Sequence, residues 1–210
     1  MKRFLLFLML ILSSPLVLAE SDSESLARQL KSVHTFSSDF IQEVLDDKNV
    51  VVQRSAGSMQ FDRAYRNQAL FYWKVNSPST SIMYFRDGKI IFYDPELSQA
   101  TIKKVNYKDP SMLPLMLLTG DPTQVLNNFL VTSKSKQRFM LQPKSNDKDA
   151  ILLGVILDLT SEGAIQHIQY QLAMGSITHI SFGNVRINQP LQHALFFEKF
   201  PKDTDFVEVK

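Results

Sequence analysis

The chain has 210 residues, with 23 Lys and Arg against 21 Asp and Glu, 44% hydrophobic residues and no cysteine. This balance excludes a disordered chain, and the absence of Cys excludes a disulfide framework, a zinc-thiolate site, a thiol nucleophile and lipid attachment through an N-terminal Cys. A formal charge of +2 gives no electrostatic basis for binding nucleic acid.

Lys2 and Arg3 precede the apolar run Phe4 to Leu12, followed by Ser13, Ser14 and Pro15 and then Val17-Leu18-Ala19. This is the pattern of a secretory signal peptide, residues 1–19, with cleavage expected after Ala19. The uninterrupted run is shorter than the ~20 residues needed to span a bilayer. Residues 20–210 are expected to fold as a single domain. Without Lys2 and Arg3 the counts become 21 basic and 21 acidic residues. A neutral, exported, cysteine-free chain fits the periplasm of a Gram-negative bacterium.

Ser21 or Ser23 can cap a first helix, with Glu24 near its positive end. Leu26, Leu30 and Val33 then make one apolar stripe, suited to packing on a sheet. From Thr35 the period changes to two. Phe36, Phe40 and Val44 share one parity and predict a strand with one buried face. Asp46-Asp47-Lys48-Asn49 is a turn cluster. Val50 to Phe61 reads as a second long strand, with Val51, Met59 and Phe61 on one face, and Arg63 to Asn67 reads as a loop. In the next strand, Ala69 to Val75, Phe71, Trp73 and Val75 point one way, and Leu70, Tyr72 and Lys74 the other.

Ile82 to Phe85 and Lys89 to Tyr93 flank Arg86-Asp87-Gly88, a hairpin signal because Gly tolerates positive φ. Both parities are apolar here, so this hairpin is covered on both faces or lines a cavity on one. Asp109-Pro110-Ser111 then opens a Pro-bounded segment, Met112 to Leu118, with Pro114 suited to a first helical turn. Thr119-Gly120-Asp121-Pro122 leads into a second short helix, about Thr123 to Asn128. Strands are expected at 138–142, 150–159, 164–172 and 177–182, separated by turn signals such as Ser145-Asn146-Asp147, Ser161-Glu162-Gly163 and Met174-Gly175. Leu195 to Phe200 and Phe206 to Val209 read as last strands. The expected fold is mainly β (α+β): one large antiparallel sheet with about three helices.

Chemistry-bearing motifs are absent. The four His residues, at 34, 167, 179 and 193, lack metal-site spacing. There is no G-x-S-x-G, phosphate loop or G-x-G-x-x-G, and no carboxylate pair is readable from spacing. No cofactor, metal site or catalytic residue is expected. What stands out is apolar surplus, with 15 Phe and the Met112/Met116 pair one turn apart. Met-rich surfaces adapt to variable ligands. On periodicity alone, the Met/Leu segment either plugs the core or meets a ligand on one side.

The ordered set of motifs resembles the LolA family of periplasmic outer-membrane lipoprotein carriers. It consists of Phe36-Ser37-Ser38-Asp39-Phe40-Ile41-Gln42, Leu70-Phe71-Tyr72-Trp73, Asp87-Gly88-Lys89 with Phe92-Tyr93-Asp94-Pro95, and Pro114-Leu115-Met116-Leu117-Leu118. It continues through Phe182-Gly183-Asn184, Asn188-Gln189-Pro190-Leu191 and Phe200-Pro201. The resemblance covers nearly all of residues 20–210. It implies an incomplete antiparallel β-barrel with a helical lid over a hydrophobic cavity, acting without covalent chemistry.

The implied partners are acylated outer-membrane lipoproteins, an inner-membrane lipoprotein-releasing ABC transporter and the outer-membrane receptor LolB or its equivalent, with the carrier a monomer. On this reading the acyl chains lie against Phe71, Trp73, Met83, Phe85, Ile91 and Tyr93 of the sheet, and against Met112, Leu115, Met116 and Leu118 of the lid. The family also carries a Lys-Arg-Pro-like segment whose Arg latches the lid. Here Asp62-Arg63-Ala64-Tyr65-Arg66-Asn67-Gln68 lacks that Pro, and Arg63 is the expected counterpart, with Arg66 the alternative. Two other readings of such a chain are a carrier of another lipid, such as a glycolipid or fatty acid, and a lipid-sensing domain.

Overall fold

A computed structural model describes residues 20–105, 112–144, 151–197 and 199–209. The expected signal peptide, the Asp109-Pro110-Ser111 lead-in and the turn at 145–147 lie outside the described residues.

Helix α1 (Asp22–Lys31) starts at Ser21, whose side chain accepts from the Glu24 amide while the Glu24 carboxylate accepts from the Ser21 amide. This reciprocal cap satisfies two backbone donors that the first turn leaves free. Strands β1 (Thr35–Leu45), β2 (Val51–Tyr65), β3 (Gln68–Ser77), β4 (Ser81–Arg86), β5 (Lys89–Asp94) and β6 (Gln99–Lys104) follow as a meander. Two short helices, α2 (Leu113–Thr119) and α3 (Pro122–Leu126), interrupt the strands. Strands β7 (Phe129–Ser133), β8 (Arg138–Pro143), β9 (Leu152–Leu159), β10 (Ile165–Leu172) and β11 (Ile177–Ile187) form the second half, and β12 (Asp205–Val209) comes last.

All belong to one open, curved 12-stranded sheet, ordered β12-β6-β5-β4-β3-β2-β1-β11-β10-β9-β8-β7. The two halves meet where β1 pairs with β11. Both faces carry a core. The inner face packs against α1, α2 and α3 through Phe36, Phe40, Met59, Phe61, Phe71, Leu157 and their neighbours. The outer face of β3–β6 buries Leu70, Tyr72, Ile82, Tyr84, Ile91 and Tyr93 against Phe196 and Phe200 of the C-terminal segment.

Several expectations are corrected. Residues 63–67 are not a loop: β2 runs to Tyr65 and turns tightly into β3 through Arg66 and Asn67, both at positive φ (48° and 66°). That is the backbone twist a two-residue hairpin requires. Leu195 to Phe197 is not strand but the end of a 3-10 helix, His193–Phe197, which directs Phe196 into the outer core. Strand β12 is present but pairs parallel with β6, so the sheet is not wholly antiparallel. Strands β6 and β7 have no counterpart among the expected elements.

Candidate functional site

The inner face of β2–β4 is aromatic by register. Phe61 lies opposite Phe71, Phe71 opposite Phe85, and Trp73 opposite Met83. Trp73 stacks on Phe40 from two strands away, with ring centroids 3.8 Å apart. Gly57 permits this packing: a Cβ there would stand 1.8 Å from the Lys74 carbonyl oxygen and 2.9 Å from the Phe40 ring.

Helix α2 lies over β2 and β3 on this face. Met112, Leu115, Leu117 and Leu118 are buried in the inner core, while Met116 is partly exposed. Between α2 and the ends of β3 and β4 is a cavity of about 590 Å³ lined by Phe85, Val105, Leu115, Met116 and Val125. Gln68, Ala69, Asp87, Gly88, Thr119 and Gly120 also line it. The apolar side chains meet a more polar set drawn from two hairpin ends and the end of α2. A cavity of this size matches a drug-sized ligand.

Arg63 anchors the cover. Its Nε donates to Val33 O (2.9 Å), Nη1 to Gly120 O (2.7 Å) and Nη2 to Leu117 O (3.2 Å). A short helix leaves its last carbonyls without partners inside the helix. In α2, Thr119 Oγ1 donates to Leu115 O, the Gly120 amide donates to Met116 O, and Arg63 serves Leu117. The guanidinium fork can reach three acceptors at once, and a cation suits the negative end of a helix. It also lies over the Phe61 ring, 5.2 Å from the centroid. Burial pushes the Arg63 pKa down to about 10, and attraction to Asp121 acts in the opposite direction. The group therefore stays charged at neutral pH.

The expected site residues fall into three groups. Phe85, Leu115 and Met116 line the cavity together. Phe71, Trp73, Met83, Met112 and Leu118 belong to the inner core beside it. Ile91 and Tyr93 are on the opposite face, in the outer core, and leave the set. The two-residue turn pairs Phe85 with Ile90 and Met83 with Phe92, so those residues share the inner face. Val105 and Val125 are additions to the expected set; Val125 falls in the expected second helix, and Val105 follows a strand whose alternation is weak. Of the two candidate arginines, Arg63 reaches the cover, whereas Arg66 sits in the hairpin turn with its guanidinium over Tyr65.

Fold and site define a class: an open, curved sheet with an apolar inner face and a helical cover held down by one part-buried arginine. The chain matches the family model described as "Outer membrane lipoprotein carrier protein LolA" over residues 31–199. It is 29% identical to an outer-membrane lipoprotein carrier protein of Pseudomonas fluorescens (strain Pf0-1), covering 98% of this chain and 99% of that one. A protein of the same description from Francisella tularensis subsp. tularensis is 24% identical, covering 99% and 98%. Among solved structures, an uncharacterized conserved protein from Thermus thermophilus shares the fold, with a TM-score of 0.59 over 90% of this chain and 100% of that one at 11% identity.

The chain belongs to the LolA family, whose members are non-enzymatic lipoprotein carriers.

Proposed function

We propose that the protein is a periplasmic carrier. It takes acylated lipoproteins from an inner-membrane ABC transporter, shields their acyl chains against the inner face of the sheet, and passes them to an outer-membrane receptor of the LolB kind. The observation that carries this reading is the latched cover over apolar surface. Phe85, Leu115 and Met116 already border open space. Trp73 and Met83 stand next to them, partly buried. Lifting α2 would extend one continuous apolar wall from Phe85 to Trp73.

The energetics fit a carrier that must both hold and release. Each acyl CH₂ removed from water contributes about 0.8 kcal/mol, so long chains alone would bind too tightly for handover. Closing the empty cover opposes this. Arg63 makes three hydrogen bonds from a charged donor in the closed state, and bonds of that type contribute about 1.5–3 kcal/mol each. Opening sacrifices those to α2, so net affinity falls by the cost of opening. A receptor whose cavity opens at lower cost would then accept the chains.

Native mass spectrometry with lipid extraction, on protein purified gently from periplasm, tests the reading. Co-purifying triacylated lipoprotein is the expected result. A different bound lipid would keep the carrier mechanism and replace the cargo.

A further inference from the structure

One end of the sheet gathers three cations on one face. Arg86 of β4 is directly opposite Lys89 of β5, and Lys89 is directly opposite Lys104 of β6. Like charges facing each other across strands destabilise a sheet, yet three cations stand in one cross-strand row on the outer face. Carboxylates offset them only in part. Asp87 is in the adjoining turn, and Glu208 of β12 is 3.6 Å from Lys89 Nζ. Arg86 donates to Phe196 O, and its guanidinium lies over the rings of Tyr84, Phe197 and Phe200. Lys104 has no ion-pair partner among the described residues.

The surroundings define what this row can meet. Lys89, Lys103 and Lys104 border a groove of about 480 Å³ together with Ile102, Glu208 and Val209. Phe197, beside the Arg86 guanidinium, is 43% exposed, and Val209, which borders the groove from the Lys103 side of the sheet, is 48% exposed, so apolar side chains reach solvent next to the cations. Cations interleaved with exposed aliphatic and aromatic groups suit the interface of a bilayer, where apolar groups enter the acyl boundary and lysines meet phosphates. The position matters as well. Asp87, Gly88 and Val105, which line the apolar cavity, adjoin Arg86, Lys89 and Lys104 respectively in the chain.

We propose that the Arg86–Lys89–Lys104 row, with Phe197 and Val209, is a docking surface for an anionic phospholipid bilayer, and that docking there brings the cavity mouth to the membrane. Only the second part rests on the carrier reading.

The test is co-sedimentation of the full mature chain with phosphatidylcholine vesicles, with and without about one-third phosphatidylglycerol. Binding to the anionic vesicles alone, weakening as salt screens the charges, is the expected result. Lys89→Gln with Lys104→Gln should lower the partition roughly 30-fold, about fivefold per lysine. The double variant should melt no lower than wild type, because it removes opposed like charges and one exposed ion pair. Unchanged partition in the folded double variant would overturn the proposal. So would binding to polyglutamate with none to anionic vesicles, which would mark an acidic protein as the partner. Uptake of a fluorescent acyl probe reads the carrier function separately, since neither lysine lines the cavity, and should stay at the wild-type level in the double variant.

Discussion

Arg63 and its neighbour Asp62 point to opposite faces of β2 and hold opposite covers. Arg63 binds carbonyls of α2 and the loop after it, while Asp62 accepts from His193 Nε2 (2.8 Å) in the C-terminal segment. Replacing Arg63 with Leu removes the donors but keeps apolar bulk beside Phe61. The closed state then loses stability, net acyl affinity rises by tenfold or more for ~1.4 kcal/mol or more of lost latch, and transfer to the receptor slows. A fluorescent acyl probe reads the affinity, and a receptor-transfer assay reads the rate. A variant that hands over cargo at the wild-type rate would remove the latch role. The sign of the pH dependence follows from the lowered pKa of about 10. Between there and the ordinary arginine range the unfolded chain binds more protons, so stability from this group rises with pH only in that alkaline window. Below it, Arg63 is charged in both states. Fluorescence of Trp73, the one tryptophan in the sequence, should therefore report no latch transition between about pH 6 and pH 8. At this scale the sequence is informative about Arg63, which follows an apolar strand. It misleads at Ile91 and Tyr93: a two-residue Asp-Gly turn pairs Arg86 with Lys89 and already places Ile90 and Phe92, not their neighbours, beside Phe85 and Met83.

Elements are legible in proportion to their periodicity. The alternation of β1 and β3 and the stripe of α1 identify their buried faces because each meets a core on a regular spacing. Strands β6 and β7 are short and weakly alternating, and pairing with β5 and β12 and with β8 places them in the sheet. The Arg66-Asn67 turn lacks the usual Asn-Gly or Asp-Gly signature, so it reads as a loop. His193–Phe197 contains β-favouring Phe and Leu, but only Phe196 has an apolar site to fill, and tertiary packing overrides propensity there. The parallel pairing of β12 with β6 joins residues about a hundred apart and leaves no local trace. Gly57 tests the element account. Gly57→Ala would place a Cβ 1.8 Å from a backbone oxygen of β3, forcing the strands apart. A loss of several kcal/mol is expected, in the range of severe single substitutions, read as a lower melting temperature and changed Trp73 emission.

At the scale of the whole molecule, the sheet supplies two unlike surfaces. Its outer face is closed over β3–β6 by the C-terminal segment, whose Phe200 ring packs edge-on against Tyr84 and Tyr93. Its inner face is closed by short helices whose main polar tether is one arginine. On the proposed reading α2 is the element that moves, and what holds it closed is the burial of Met112, Leu115, Leu117 and Leu118 together with the Arg63 tether. The open volume at about 590 Å³ is small for a set of long acyl chains, so the proposed carrier function requires α2 to move and enlarge it. The central claim is that cargo chains lie under that helix. Met116 is the residue to change, because it lines the cavity yet is partly exposed, so a charge there spares the fold while entering the acyl path. Native mass spectrometry of wild-type and Met116→Glu protein, each incubated with a triacylated lipoprotein, is the most direct measurement. The account predicts a one-to-one complex for wild type that is lost in the folded variant; an equally abundant complex in both would place the acyl chains elsewhere and contradict it.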